Sequence, residues 1–284
     1  MPWLDEALDQ IVRQPVCGYA PGDAPATEPT ALAALALAAH QQAPAAGAAS
    51  DFLSDIQAAD GSVGVRAGET PGWPTSLAVL AWKATACKEA ATTGKYAPNI
   101  RRAVRWILDA RGETVEQSAD FGHNTELVGW SYADATHSWI EPTALHVAAL
   151  KAAGETLSHR TRDGVRLLID RQLPGGGCNY GNTTVLGQLL RPLVQPTGIA
   201  LIALAGEDDP SGRTARSVAW LQRAIGPGTT AASLAWALVG LAAHGVSLPQ
   251  AGDWLGIAHA RVMRHDRSPH KLALLALAAK GWPQ

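Results

Sequence analysis

The sequence has 284 residues, of which 47% are hydrophobic and 17% are charged, and its formal net charge at pH 7 is −2. This composition supplies enough apolar surface for a large core and excludes intrinsic disorder. The near-neutral charge, without a basic cluster, argues against nucleic acid as a partner. No apolar segment reaches the roughly 20 residues needed to cross a bilayer, so we expect no transmembrane segment.

The cysteine pattern and the first residues favour a cytoplasmic protein. Cys17, Cys87 and Cys178 are scattered and odd in number, which fits a reducing compartment better than a disulfide framework. The first residues contain neither a basic region nor a long apolar run, so the sequence shows no secretory signal. We therefore expect cytoplasmic localisation.

A short phrase recurs along the chain and predicts the start of six helices. It consists of proline or a polar residue, then threonine or a small residue, then a run of alanine and leucine. Proline suits the first turn of a helix, where its missing N–H would have no partner. The last two of the six copies are weaker than the others. The copies begin at Glu28, Trp73, Glu141, Gln195, Thr229 and Ser268.

The helices that follow this phrase are apolar nearly all round, which requires burial on every side. Between them lie helices whose apolar residues recur at helical spacing and whose arginines form a polar face. The apolar helices are predicted at 31–39, 77–86, 144–150, 199–205, 234–243 and 272–279, and the amphipathic helices at 100–111, 162–172 and 213–223. We expect buried leucines at Leu145, Leu201, Leu238 and Leu275, and solvated arginines at Arg101, Arg102, Arg162 and Arg213.

Alternation of these two kinds of helix, about six times, predicts an all-α fold with one ring of helices inside another. We expect a single domain over residues 1–284, an (α/α)6 toroid of about six helical hairpins. Apolar Ala/Leu helices would form the inner ring and amphipathic helices the outer ring. A right-handed solenoid of the same hairpins is the competing geometry, but neither end shows the polar capping repeat that an open stack needs.

Two segments resemble the Gln…Gly-x-Trp (QW) repeat of the squalene/terpene cyclases and protein prenyltransferase β-subunits. Gln57 leads to an Asp-Gly-Ser-Val-Gly phrase and Gln172 leads to a Gly-Gly-Gly-Cys phrase, with Val63 and Cys178 where the superfamily has tryptophan. In that superfamily the glutamine caps a neighbouring helix and the tryptophan packs over it. The resemblance covers most of residues 25–280 and implies the toroidal fold.

The resemblance also implies a protein that handles an isoprenoid, either a lone-domain terpene cyclase, which is an isomerase, or a prenyltransferase. Class II cyclases carry a D-x-D-D-T-A motif at the start of an inner helix, and Glu141 stands at the position of its proton donor without the flanking aspartates. Because cyclases of this family usually pair two such domains, a second protein domain from another chain is a partner that the resemblance allows.

The full zinc-ligand pattern of the prenyltransferases is missing as well, because Gly176 stands where their aspartate precedes the cysteine, here Cys178. The spacing of Asp134, His137 and Glu141 would suit metal ligands on a helix, but a proline directly after Glu141 argues against a helix before it. We therefore expect no metal and no other cofactor. Three further histidines are spaced irregularly, and we expect them at the surface: His259, His265 and His270.

The longest predicted loop, residues 112–140, is rich in polar and aromatic side chains. Loops of this length are usually functional, and this one is either a lid over the mouth of the ring or a plug of its centre. Tryptophan side chains near it could stabilise a carbocation through their π faces. The candidate catalytic residues are Glu141, Asp134 and His137. The candidate ligand-binding residues are Trp73, Trp139, Trp236, His123, Gln195 and Tyr180.

In a ring, apolar helices that all begin with the same phrase would point their N-termini to one side. Helix N-termini carry a partial positive charge and unpaired N–H groups, which attract carboxylate or diphosphate groups. We therefore expect the binding site at this mouth, bordered by Trp73, His137, Trp139, Glu141 and Gln195.

Two questions stay open at the level of the sequence. Glu141 could act as a general acid or only as a carboxylate that stabilises a helix N-terminus, and the recurrence of Glu28 and Gln195 at the same place favours the second role. The whole protein could bind a small apolar or isoprenoid ligand in a central cavity and act on it. Alternatively, it could be a non-catalytic toroid that serves as a lipid-binding carrier or as a protein-interaction scaffold.

Overall fold

The structure, a computed structural model, describes residues 1–86, 94–118 and 120–282, so Cys87 lies outside the described residues. Within these ranges the chain is all-α, with twelve helices and one short β-hairpin. None of the described helices has the length and apolar character that crossing a membrane requires.

Along the described chain, the helices follow one another, with one β-hairpin among them. In chain order the helices are α1 (Pro2–Arg13), α2 (Thr27–Ala39), α3 (Ala43–Asp55), α4 (Thr75–Ala86), α5 (Ala97–Asp109), α6 (Ile140–Ala152), α7 (His159–Asp170), α8 (Val194–Leu204), α9 (Arg213–Ala224), α10 (Ala231–Ala243), α11 (Ala251–His265) and α12 (Pro269–Lys280). The hairpin lies between α7 and α8. Its strands are β1 (Thr184–Val185) and β2 (Gln188–Leu189), which pair antiparallel with Thr184 opposite Leu189.

The even-numbered helices begin at the six copies of the repeated phrase, as the sequence predicts. Most residues of α2, α4, α6, α8 and α10 are buried, and α12 buries the central half of its length. The four leucines predicted to be buried are confirmed. The most exposed of them, Leu238, keeps only 6% of its surface accessible. These helices therefore form the core of the molecule.

The odd-numbered helices carry the polar surface, with one correction to the prediction for their arginines. Arg101 and Arg102 on α5 are exposed as predicted, whereas Arg162 and Arg213 are only partly exposed. Arg162 donates to a carboxylate oxygen of Glu207 at 2.6 Å, and Arg213 donates to the carbonyl of the last residue of α7 at 2.8 Å. Both side chains lie along neighbouring elements, which covers part of their surface.

The threonine of the repeated phrase forms a hydrogen bond between the start of its helix and the segment before that helix. In four repeats its hydroxyl accepts a hydrogen bond from a buried backbone N–H at 2.8 to 3.2 Å. The pairs are Thr30 with Cys17, Thr75 with Val63, Thr143 with Trp130 and Thr197 with Cys178. Val63 and Cys178 thus occupy the same structural position as a tryptophan in the third repeat.

The two glutamines of the QW-like segments both contact the next odd-numbered helix. Gln57 donates to the carbonyl of Asn99, in the first turn of α5, at 3.0 Å. Gln172 accepts a hydrogen bond from the hydroxyl of Ser217 on α9 at 2.6 Å. Each glutamine therefore links the segment after one odd-numbered helix to the next odd-numbered helix.

The even-numbered helices contact one another in a cyclic order. Each packs against the next even-numbered helix, from α2 to α12, and α12 packs against α2. His40, which follows α2, donates from Nε2 to the carbonyl of Ala276 on α12 at 2.8 Å. Each odd-numbered helix contacts the even-numbered helices that flank it along the chain, and α1 lies against both α2 and α12.

Removing one threonine hydroxyl tests the importance of these links. The Thr143→Val variant keeps the shape of the side chain but leaves the buried N–H of Trp130 without an acceptor, so we expect it to lower the free energy of unfolding by about 1–3 kcal/mol. The matched control is Thr136→Val, whose hydroxyl makes an exposed bond to the carbonyl of Ala133; we expect a change below about 0.5 kcal/mol there. Urea unfolding of both variants measures the difference, and equal losses would contradict a special role for the repeated threonine.

Candidate functional site

Glu141 lies in the first turn of α6 and is the centre of the candidate site. Its side chain is buried, with 8% of the residue accessible. The hydroxyl of Tyr132 donates to Oε2, and Nε2 of Gln195 donates to Oε1 at 3.1 Å. Gln195 holds the equivalent position at the start of α8, so the repeated phrase itself brings these two side chains together.

Burial sets the acidity of Glu141. Removal from water raises the pKa of its carboxyl above the usual value. The hydrogen bonds from Tyr132 and Gln195 oppose this shift, and the negative charge of Glu28 adds to it. The net effect is a pKa above that of a carboxyl group in water, so the protein environment favours the protonated form of Glu141.

Glu28 occupies the corresponding place at the start of α2 and has the opposite shift. The hydroxyl of Tyr19 donates to its Oε2 at 2.5 Å, and Nε2 of His270 lies 3.4 Å from its Oε1. Burial alone would raise the pKa of Glu28, but the contacts with His270 and Tyr19 outweigh it and lower the pKa. Two glutamates at equivalent helix starts are thus pushed towards different protonation states.

A pair of carboxyl groups whose environments separate their pKa values can divide acid and base roles. Glu141 is suited to give a proton to a bound molecule, and Glu28 is suited to accept one. Each glutamate also has a tyrosine hydroxyl as its hydrogen-bond partner, Tyr132 or Tyr19. The arrangement can therefore position a proton at a defined atom on each side of the site.

Aromatic rings surround the Glu141 side of the site. The ring of Trp73 meets that of Tyr132 edge-on, with centroids 5.4 Å apart, and the ring of Trp139 is tilted against that of Tyr132, with centroids 6.1 Å apart. The imidazole of His137 packs on Trp139 at 4.4 Å. Trp73, His137 and Trp139, all predicted at the mouth, are therefore linked to Glu141 through Tyr132.

The loop 112–140 is folded onto the helices and lines two separate cavities. One, of about 150 Å³, is walled by aromatic residues and includes Asp134. The other, of about 210 Å³, includes His123, His137 and Arg171. Glu141 lines neither cavity.

The three candidate catalytic residues are therefore not gathered around one cavity. Asp134 and His137 are both exposed and line different cavities. Over the described ranges, no three His, Cys, Asp or Glu side chains are grouped in a way that could hold a metal ion. The segment before Pro142 is not helical up to Trp139, so the helical spacing that would have joined these residues does not arise.

His123 is buried in the larger cavity, beside Phe121. Burial, together with the positive charge of Arg171 and a smaller effect of His137, lowers the pKa of His123 to about 4. His123 is therefore a neutral side chain at physiological pH. It can exchange hydrogen bonds with a ligand but carries no charge to attract one.

The other two predicted ligand-binding residues differ in their placement. Tyr180 is 46% exposed. It lies near Tyr132, whose pKa is raised mainly by burial and Glu141 and, to a smaller extent, by Glu28 and Tyr180. Trp236 lies apart from this group: it is buried in α10 and packs against Trp282, with ring centroids 6.0 Å apart. Trp282 lines a cavity of about 320 Å³ near the C-terminal ends of α8, α10 and α12.

Sequence reasoning placed Gln195 beside Glu141 but missed the tyrosine partners of both glutamates and the contact of Glu28 with His270. Tyr132 was one of several polar residues in the loop, and nothing in the sequence singled it out. The prediction that His259 and His270 lie at the surface is wrong, because His259 is buried and His270 is mostly enclosed beside Glu28. A signal for His270 was present, since it stands at the threonine position in the sixth copy of the repeated phrase.

No protein-family model matches this chain, and no curated protein sequence matches it. Conclusions about function therefore depend on the geometry described above.

Proposed function

We propose that the protein is an (α/α)6 toroid that binds a small apolar or isoprenoid ligand at the mouth formed by the N-termini of α2, α4, α6 and α8, and that Glu141 is its general acid. The cyclic contacts of the even-numbered helices support the toroid. So do Gln57 and Gln172, which contact the next outer helix as the QW glutamine does in the superfamily that the sequence resembles.

The buried carboxyl group of Glu141, held between Tyr132 and Gln195, is the observation that carries this proposal. Burial raises its pKa above that of a carboxyl group in water, which favours the protonated form that a general acid needs. Protonation of an apolar ligand creates a carbocation, which the π faces of Trp73, Trp139 and Tyr132 would stabilise. Glu28, whose pKa is lowered, could then remove a proton to end the reaction.

The second candidate function is a non-catalytic carrier or scaffold, and a specific observation favours it. The two cavities lined by the loop measure about 210 Å³ and about 150 Å³, below the roughly 300 Å³ at which pockets for small molecules usually begin. Both oxygens of Glu141 also accept hydrogen bonds from the protein itself. In this alternative Glu141 only stabilises the start of α6.

A single substitution separates the two candidates. Glu141→Gln keeps the size of the side chain but removes the proton that the carboxyl group donates. If Glu141 is the general acid, turnover of farnesyl diphosphate or squalene should fall by roughly 100-fold or more, with little change in the melting temperature. Product analysis by mass spectrometry and thermal unfolding measure the two effects.

The matched control is Glu126→Gln in the loop 112–140, where the glutamate is exposed. We expect this variant to keep both turnover and stability. If Glu141→Gln lowers the melting temperature and leaves the turnover and binding of both polyprenes unchanged, Glu141 is a structural cap and the catalytic proposal is wrong.

A further inference from the structure

The smaller of the two loop-lined cavities shares Trp73 and Tyr132 with the mouth site, but its other walls come from residues to which the mouth site gives no role. Its walls are built largely from the aromatic rings of Trp73, Trp106, Trp130 and Tyr132, together with the imidazole of His146. Its volume of about 150 Å³ equals that of an engineered apolar cavity known to hold one benzene molecule. The cavity is thus large enough for a single flat ring.

His146 is the one fully buried titratable residue in the lining. Its ring stacks parallel to that of Trp130, with the centroids 5.3 Å apart. Nδ1 lies 2.7 Å from the carbonyl oxygen of Pro142. Because a carbonyl oxygen can only accept a hydrogen bond, Nδ1 must carry the hydrogen, and Nε2 of the neutral ring is then a bare acceptor.

Several facts keep this imidazole neutral. Burial, opposed by the hydrogen bond to the Pro142 carbonyl and assisted by the charge of Arg160, lowers the pKa of His146 to about 4. The guanidinium of Arg160 lies over Trp130 at 4.2 Å from the ring centroid. A proton on Nε2 would add a second buried cation next to this one.

Nε2 of His146 is buried and has no hydrogen-bond partner within the protein. Neighbouring donors are already engaged elsewhere: Nε1 of Trp130 donates to the carbonyl of Ile107 at 2.8 Å, and the hydroxyl of Tyr132 donates to Glu141. A buried acceptor without a partner is costly, and native proteins rarely keep one without a reason. A donor from outside the protein would remove this cost.

We propose that this cavity is a binding site for a small neutral molecule with a flat apolar body and one hydroxyl or N–H group, which donates a hydrogen bond to Nε2 of His146. The aromatic walls fit the flat body, and the neutral acceptor selects a donor rather than an ion. The charged residues of the lining, Arg111 and Asp134, are exposed and carry opposite charges, so they give no preference for a charged ligand. A phenol has this chemistry and this size.

The test compares phenol with toluene, which has nearly the same shape but no donor. Both are titrated into the protein by isothermal calorimetry, without any polyprene, so the result does not depend on the function of Glu141. The variant His146→Phe keeps a ring against Trp130 but has no hydrogen-bond acceptor. In this variant the ratio of the phenol affinity to the toluene affinity should fall by about tenfold relative to the wild type.

Two further variants keep the test decisive. His259→Phe removes another buried histidine whose Nε2 lacks a partner and which does not line this cavity, so the ratio should stay at its wild-type value. Ala110→Phe fills the cavity from its wall and should abolish binding of both ligands, even if His146→Phe does not fold. An unchanged ratio in His146→Phe, failure of phenol to bind the wild type, or undiminished binding to Ala110→Phe would overturn the proposal.

Discussion

Acidification from pH 6.5 towards about 4 is expected to destabilise the protein strongly, because two buried histidines resist protonation in the folded state. The pKa of His123 and that of His146 are both lowered from 6.5 to about 4, mainly by burial. In the unfolded chain both groups take up protons near pH 6.5, so the unfolded state binds more protons throughout this interval. A shift of this size corresponds to about 3 kcal/mol for each group, a large share of the total stability of a typical domain.

Other groups in the same pH range do not cancel this effect. Burial also lowers the pKa values of His137, His244 and His259, which adds to the loss. Glu141 acts in the opposite direction: its pKa is raised in the folded state, so its stabilising effect is fully present at low pH and disappears as the pH rises. Among the described residues, the histidines with lowered pKa values outnumber Glu141.

Urea unfolding at a series of pH values measures the slope. The variant His146→Phe should reduce the fall in the free energy of unfolding by about 3 kcal/mol over the interval. His265→Phe, at an exposed position, is the control and should follow the wild type. A free energy that stays flat between pH 6.5 and about 4 would show that these imidazoles are protonated in the folded protein.

A methyl group at Gly240 is expected to destabilise the helical core strongly. Gly240 lies where α10 meets α8, and a Cβ atom there would stand 2.3 Å from the carbonyl oxygen of Gly198 and 3.0 Å from its Cα. Both obstacles are backbone atoms, which cannot turn aside as a side chain can. The two helices would have to move apart and loosen the buried contacts along their length, so we expect Gly240→Ala to cost about 3 kcal/mol or more.

Gly47→Ala is the matched control, because it makes the same chemical change within α3. A Cβ atom at Gly47 meets no atom within 4 Å. Alanine is the better helix former by about 1 kcal/mol, so this variant should be more stable than the wild type. The two substitutions should therefore shift the free energy of unfolding in opposite directions, and a shift of the same sign in both would contradict the close packing of α8 on α10.

Much of the fold could be predicted because its signals are local. The apolar helices are recognisable from composition alone, and the proline–threonine phrase marks their first turns even in the weaker copies before α10 and α12. The sequence analysis gives no bounds for the helices α1, α3 and α11 or for the hairpin of β1 and β2. Each strand of the hairpin has only two residues, which is too short for an alternation of apolar and polar residues to indicate a strand.

The candidate site was predictable only as far as the repeat extends. Glu141, Gln195 and Trp73 share one position in the phrase, and two of them are hydrogen-bonded to each other as a result. The contact between Glu28 and His270 joins the first repeat to the sixth, and no periodicity in the sequence specifies such a pairing. The fold of the loop 112–140 depends in the same way on distant contacts, which divide its polar residues between two cavities.

The packing of α12 on α2 has a consequence for how the chain acquires its structure. The hydrogen bond between His40 and Ala276 spans 236 positions, and the bond from the hydroxyl of Ser268 to the carbonyl of Tyr19 spans 249. Contacts between such distant segments form late, since closing a long loop must come before any gain from the contact. Until α12 arrives, the apolar surface that it covers on α2 is open to water, and a growing chain on the ribosome would be most prone to aggregate during that interval.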